Sequence, residues 1–154
     1  MNKILIKNAI LQENIYLINN NYEEESEFHA IKGRIKFLSF RKFKLENKNN
    51  SKEIREEFFD NIIGELEIEY TNLNTYANSD TILESFYLTD LDDFSFDTIT
   101  DPGVIFKINE QVGRDWYVGD FIPKIKKKTY IYFLIPDEET DYYFGVEDGR
   151  IEEI

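Results

Sequence analysis

The six residues Glu65-Leu66-Glu67-Ile68-Glu69-Tyr70 constrain the fold more tightly than any other stretch. Apolar and acidic side chains alternate there without a break. In an extended chain successive side chains point to opposite faces, so Leu66, Ile68 and Tyr70 share one face and Glu65, Glu67 and Glu69 the other. The segment reads as a half-buried strand with a row of carboxylates in solvent.

A strand needs partners, and the chain offers several. Residues 15–18, Ile-Tyr-Leu-Ile, form a short apolar run closed by three asparagines. Residues 34–45 hold Ile35, Phe37, Leu38, Phe40, Phe43 and Leu45, which fit neither period cleanly and read as a strand with a bulge. Residues 129–135 are nearly all apolar, which predicts a central position in the sheet. Residues 142–146 and 150–154, joined by Asp148-Gly149, carry the clearest hairpin signal. Residues 3–7, 103–109 and 115–122 complete the strand candidates. Residues 23–31 fit neither class.

The best helix spans residues 51–63. Ile54, Phe58 and Ile62 recur at four-residue intervals, and Phe59 and Ile63 widen the stripe. Asn50 or Ser51 can cap its start, Glu53 has capping-box spacing from Asn50, and Gly64 is placed to end it. Residues 81–88 lean towards helix, with Thr81 and Glu84 at the same spacing. The pattern predicts an α+β fold: a single domain over residues 1–154, mainly one antiparallel sheet with one or two helices on a face.

The 154 residues include no Cys and one His, His29. That excludes disulfides, thiol nucleophiles, Cys-ligated metals and any site needing two imidazoles. His29 has no nucleophile elbow to serve, and no Gly-rich phosphate loop occurs, so no catalytic set and no cofactor is expected. The absence of a long apolar run at the start or elsewhere reads as a cytoplasmic protein without a membrane span.

The formal charge is -13, with 31 acidic and 18 basic residues. Residues 51–101 hold 14 of the acidic groups and only two of the basic ones. Direct nucleic-acid binding is not expected of such a chain, because phosphate contacts need clustered cations. A basic protein partner is. The candidate contact residues are Glu65, Glu67 and Glu69, with Glu56, Glu57 and Asp60 just upstream, and the segment Asp90, Asp92, Asp93, Phe94, Phe96 and Asp97. Aromatic anchors ringed by charge suit a tight, fast-forming interface. Trp116, between Gly113 and Gly119, is a further anchor if exposed; its neighbour Arg114 is expected to pair with Asp115 or Asp120. The basic run Lys124, Lys126, Lys127 and Lys128 reads as gatekeeping charge beside an aggregation-prone strand.

These features point to a small acidic binding protein of the inhibitor or immunity type. Two alternatives stand beside it. One is a nucleic-acid mimic, with carboxylates spaced like phosphates, that blocks a DNA-binding enzyme. The other is a hydrolase using Asp90, Asp92, Asp93 and Asp97 as metal ligands, although the spacing fails the EF-hand pattern at Phe94 and Ser95.

Overall fold

The computed structural model describes residues 2–20, 30–47, 53–115 and 119–154. Its architecture is α+β, as expected, but with two antiparallel sheets in place of one. The strands are β1 (Lys3–Leu5), β2 (Ile15–Asn20), β3 (Lys32–Lys44), β4 (Ile62–Asn72), β5 (Phe86–Thr89), β6 (Ser95–Asp97), β7 (Lys126–Ile135), β8 (Tyr143–Val146) and β9 (Gly149–Glu153). The larger sheet has the order β7-β4-β3-β2-β9 and the smaller β1-β8-β5-β6. Helices α1 (Ile6–Gln12), α2 (Glu57–Asp60) and α3 (Pro102–Val112) and one 3₁₀ helix (Asp80–Ser85) complete the described elements.

The alternating segment lies in β4, one strand in from the edge of the larger sheet. Leu66, Ile68 and Tyr70 face the smaller sheet, as do Ile35 and Phe37 of β3 and Ile131 and Phe133 of β7. Phe86, Leu88, Phe144 and Val146 meet them from the opposite layer. Phe37 and Phe144 touch edge to face across the gap, with ring centroids 4.9 Å apart, a favoured aromatic geometry. The other face of the larger sheet carries a second core. There Leu45, Ile63 and Tyr132 pack under Phe58 and Phe59 of α2 and Val104 and Ile108 of α3.

Several expectations fail for identifiable reasons. Residues 3–7 split into β1 and α1, because Ile6 and Ala9 enter the main core from a helical turn. The expected helix over 51–63 shrinks, within the described residues, to the single turn of α2; residues 48–52, with the caps Asn50 and Ser51, lie outside them. Ile62 and Ile63 join β4 because β7 extends far enough to pair with them, Ile62 opposite Ile135. Gly64 therefore ends no helix; it lies in the strand beneath the Phe40 ring. Residues 103–109 are helical rather than extended. The Asp101 carboxylate accepts from the Gly103 N–H at 2.9 Å, Pro102 opens α3 and Gly113 closes it at φ 72°. Residues 81–88 divide between the 3₁₀ helix and β5. In the 115–122 candidate, residues 116–118 lie outside the described set and the remainder forms no strand.

Two topological expectations also change. β7 is an edge strand, and its apolar run is explained by cores on both faces rather than by a central place. The 142–154 hairpin is a corner: β8 pairs with β1 and β5, whereas β9 pairs with β2. Asp148 takes φ 53°, and the absent side chain of Gly149 lets the Asn19 carbonyl approach, so the chain crosses between layers instead of folding flat. The bulge expected in residues 34–45 is present, as a register shift between Phe37 and Ser39.

Candidate functional site

The two acidic clusters of the sequence meet different fates. The β4 carboxylates form rungs with their neighbours on the outer face of the larger sheet: Arg41–Glu65–Tyr132, Ser39–Glu67–Tyr130 and Lys36–Glu69–Lys128. Glu65 is only 2% exposed. Its carboxylate accepts from Arg41 Nε at 2.7 Å and from Arg114 Nη1 at 2.9 Å. Arg114 also donates to the Tyr132 hydroxyl at 3.0 Å, and that hydroxyl donates to Asn109 Oδ1 at 3.1 Å. The Arg114 guanidinium lies 3.4 Å from the centroid of the Tyr130 ring. Burial alone raises the Glu65 pKa, but hydrogen bonds from Arg114 and Arg41 outweigh it, so the group is held below its ordinary value. Burial also pushes the Tyr132 phenol up to about 12, against the pull of Arg114.

Glu65 therefore is not an exposed contact residue, and Arg114 pairs with it rather than with Asp115 or Asp120. The alternation signal could not show this, because the covering helix α3 and the arginines come from distant segments. Glu69 meets Lys126 at 3.4 Å, and Glu67 sits directly opposite Tyr130 across the β4–β7 pair. The row Glu65, Glu67 and Glu69 is thus flanked by basic and hydroxyl groups rather than standing as an open acidic face. Among the upstream acids, Glu57 pairs with Arg55 at 3.0 Å.

The second cluster keeps its exposure at residues 91–94 and at Asp97. The turn between β5 and β6 is pinned from inside by Asp90, itself buried. Asp90 Oδ1 accepts from the backbone N–H groups of Asp92 at 2.9 Å and Phe94 at 3.0 Å, and the Asp90 N–H donates to the Phe94 carbonyl at 3.0 Å. Short polar side chains commonly hold turns in this way. Asp93 sits at φ 65° in the same turn. Around this rigid frame Leu91 is 61% and Phe94 67% exposed, with Asp92 and Asp93 exposed between them. Lys3 approaches Asp93 at 3.5 Å. Leu91 was not among the residues singled out by sequence; its place in the spacing Leu-Asp-Asp-Phe was the available signal.

Phe96 differs from Phe94. It packs against the main core, 5.9 Å from the Tyr142 ring centroid, and is not a surface anchor. Asp97 is exposed at the far end of β6. With Glu84, Glu147 and Tyr87 it lines a shallow groove of about 690 Å³ on the outside of the smaller sheet. Asp90, Asp92, Asp93 and Asp97 do not converge: among the described residues no three acidic or imidazole groups are grouped to hold a metal ion. Trp116 and His29 lie outside the described residues. No helix among the described residues is long and apolar enough to cross a membrane.

No protein-family model matches the chain. None of the curated proteins matches it either. Among solved structures it is similar to a conserved hypothetical protein from Bacillus anthracis, at 16% identity and a TM-score of 0.51. The match covers 90% of this chain and 96% of that one, so the likeness extends over the fold as a whole.

Proposed function

We propose that the protein is an acidic binding module that engages a basic protein partner through the β5–β6 turn, in the manner of an inhibitor or immunity protein. The observation that carries this reading is the turn itself: two exposed apolar side chains and two carboxylates on a backbone locked by Asp90. A pre-organised turn loses little conformational freedom on binding, which spares one of the main costs of association. Leu91 and Phe94 supply the apolar anchor, and Asp92 and Asp93 the charge that orients it. Asp97, Glu84 and Glu147 extend the acidic character along the adjoining groove. A net charge of -13 steers a cationic partner from a distance.

Double substitution Leu91→Ser with Phe94→Ser tests the anchor, and Asp92→Asn with Asp93→Asn tests the charge. In a salt-dependent capture of basic proteins from the source cell, the first pair abolishes retention. The second slows association and weakens the salt dependence. Unchanged capture by both variants would contradict the proposal.

A further inference from the structure

Across β3, β4 and β7 the outer face of the larger sheet alternates in charge. β3 contributes Arg34, Lys36 and Arg41, β4 answers with Glu65, Glu67 and Glu69, and β7 returns to Lys126 and Lys128. There the sheet ends. Opposite charges on neighbouring strands are favourable and like charges unfavourable, so β7 lacks the acidic neighbour on its open side that it has in β4.

Among the described residues the backbone of that edge is also open, over part of its length. The Ile99 N–H donates to the Tyr132 carbonyl at 2.7 Å, and Thr98 bridges to Phe133. Tyr132 therefore turns its peptide groups away from β4. With an unbroken register between β4 and β7, Tyr130 and Lys128 turn the same way. Among the described residues neither of these two has a backbone partner on that side. The edge forms the floor of a cleft of about 380 Å³ between the 3₁₀ helix and α3. Leu83 and Ile131 line it on the side of the main core, and Ile105 and Arg114 on the other.

We infer that the open edge of β7 at Lys128 and Tyr130 is a strand-addition site for an extended partner segment alternating acidic and apolar residues. Main-chain hydrogen bonds would hold such a segment and its alternate side chains would set specificity. Its acidic side chains meet Lys128, and its apolar ones meet Leu83 and Ile131. On that inner side Asp80 and Glu84 outnumber Lys127 in the lining of the same cleft, so apolar side chains suit the Leu83 and Ile131 wall better than acidic ones. A second copy of β7 is a poor occupant, because it would bring lysines against lysines. This surface is separate from the β5–β6 turn, and either can fail without the other.

The probe is a blocked, fluorescein-labelled peptide copying residues 65–72, Glu-Leu-Glu-Ile-Glu-Tyr-Thr-Asn, which already has the required pattern. A control peptide carries Lys at its three Glu positions. Fluorescence anisotropy with the full chain should show saturable binding of the acidic peptide and binding at least about tenfold weaker for the control. Lys128→Glu should weaken the acidic peptide about tenfold and favour the control. Lys128→Pro removes one outward N–H, a change that edge strands tolerate, and should abolish binding of the acidic peptide while far-UV circular dichroism stays unchanged. No binding of the acidic peptide at millimolar concentration overturns the inference. So does equal binding of both peptides, or insensitivity to Lys128→Glu. A protein that dimerises through this edge would assign it to a second copy, and that also overturns the inference.

Discussion

The Glu65 carboxylate, almost wholly removed from water, is stable because two guanidiniums reach it from different elements. Replacing it with Gln leaves Arg114 without its counter-charge in a partly buried site. The expected cost at pH 7 is about 2–4 kcal/mol; Arg114 and Arg41 keep some access to solvent, which lowers the figure for a fully buried pair. The sign with pH follows from the lowered pKa. The stabilisation is present above the unfolded value, near 4.5, and is lost as pH falls through the lower folded value. Urea denaturation of the wild type and Glu65→Gln should therefore show a gap that is full at pH 7 and narrows well below pH 4.5. A gap that does not vary with pH would show that shape, not charge, is the source. Asp90 is a second residue with an internal task. Asp90→Ala frees two backbone N–H groups in the turn and should cost about 1–2 kcal/mol, readable as a lower urea midpoint.

Among the elements, β3 and β4 depend on a bare backbone at Gly33. A side chain there would overlap the ring of Tyr70, which is fully buried and has nowhere to move. Gly145 faces the ring of Tyr87 in the same way, but that ring is only partly buried. Gly33→Ala should therefore cost about 2–3 kcal/mol and Gly145→Ala markedly less, measured side by side in urea. Such contacts show what was legible in the sequence. Strand β4 was visible because its alternation is local, and so was the bulged β3. Helix α3 left its punctuation in Asp101-Pro102 and Gly113, but the β-branched Val104, Ile105 and Ile108 read as strand. The α2 region showed a helical stripe that strand pairing with β7 overrode at Ile62 and Ile63. The corner at Gly149 uses the same dipeptide signal as a hairpin, and only the layer that each strand joins distinguishes the two.

For the molecule as a whole, the excess charge was legible but its distribution was not. Sequence offers residues 65–69 and 90–97 together as candidate contacts for a basic partner. Folding brings Arg34, Lys36, Arg41, Lys126 and Lys128 to the first group; in the second it buries Asp90, packs Phe96 on the core and leaves Leu91–Phe94 and Asp97 exposed on a different layer. Charge complementarity between residues as far apart as Arg41 and Glu65, 24 positions, or Arg114 and Glu65, 49 positions, cannot be read from local composition. Of the two acidic clusters, the one that stays open to a basic partner among the described residues is the turn at Leu91–Phe94, with Asp97 along the adjoining edge.

The most direct test is capture from the source cell lysate on immobilised wild-type protein and on the Leu91→Ser, Phe94→Ser variant, eluted with rising salt. The proposed function requires a discrete basic protein that the wild type retains at low salt and releases over a narrow range, and that the variant does not retain. Capture of no basic protein, or equal capture by both, would contradict it.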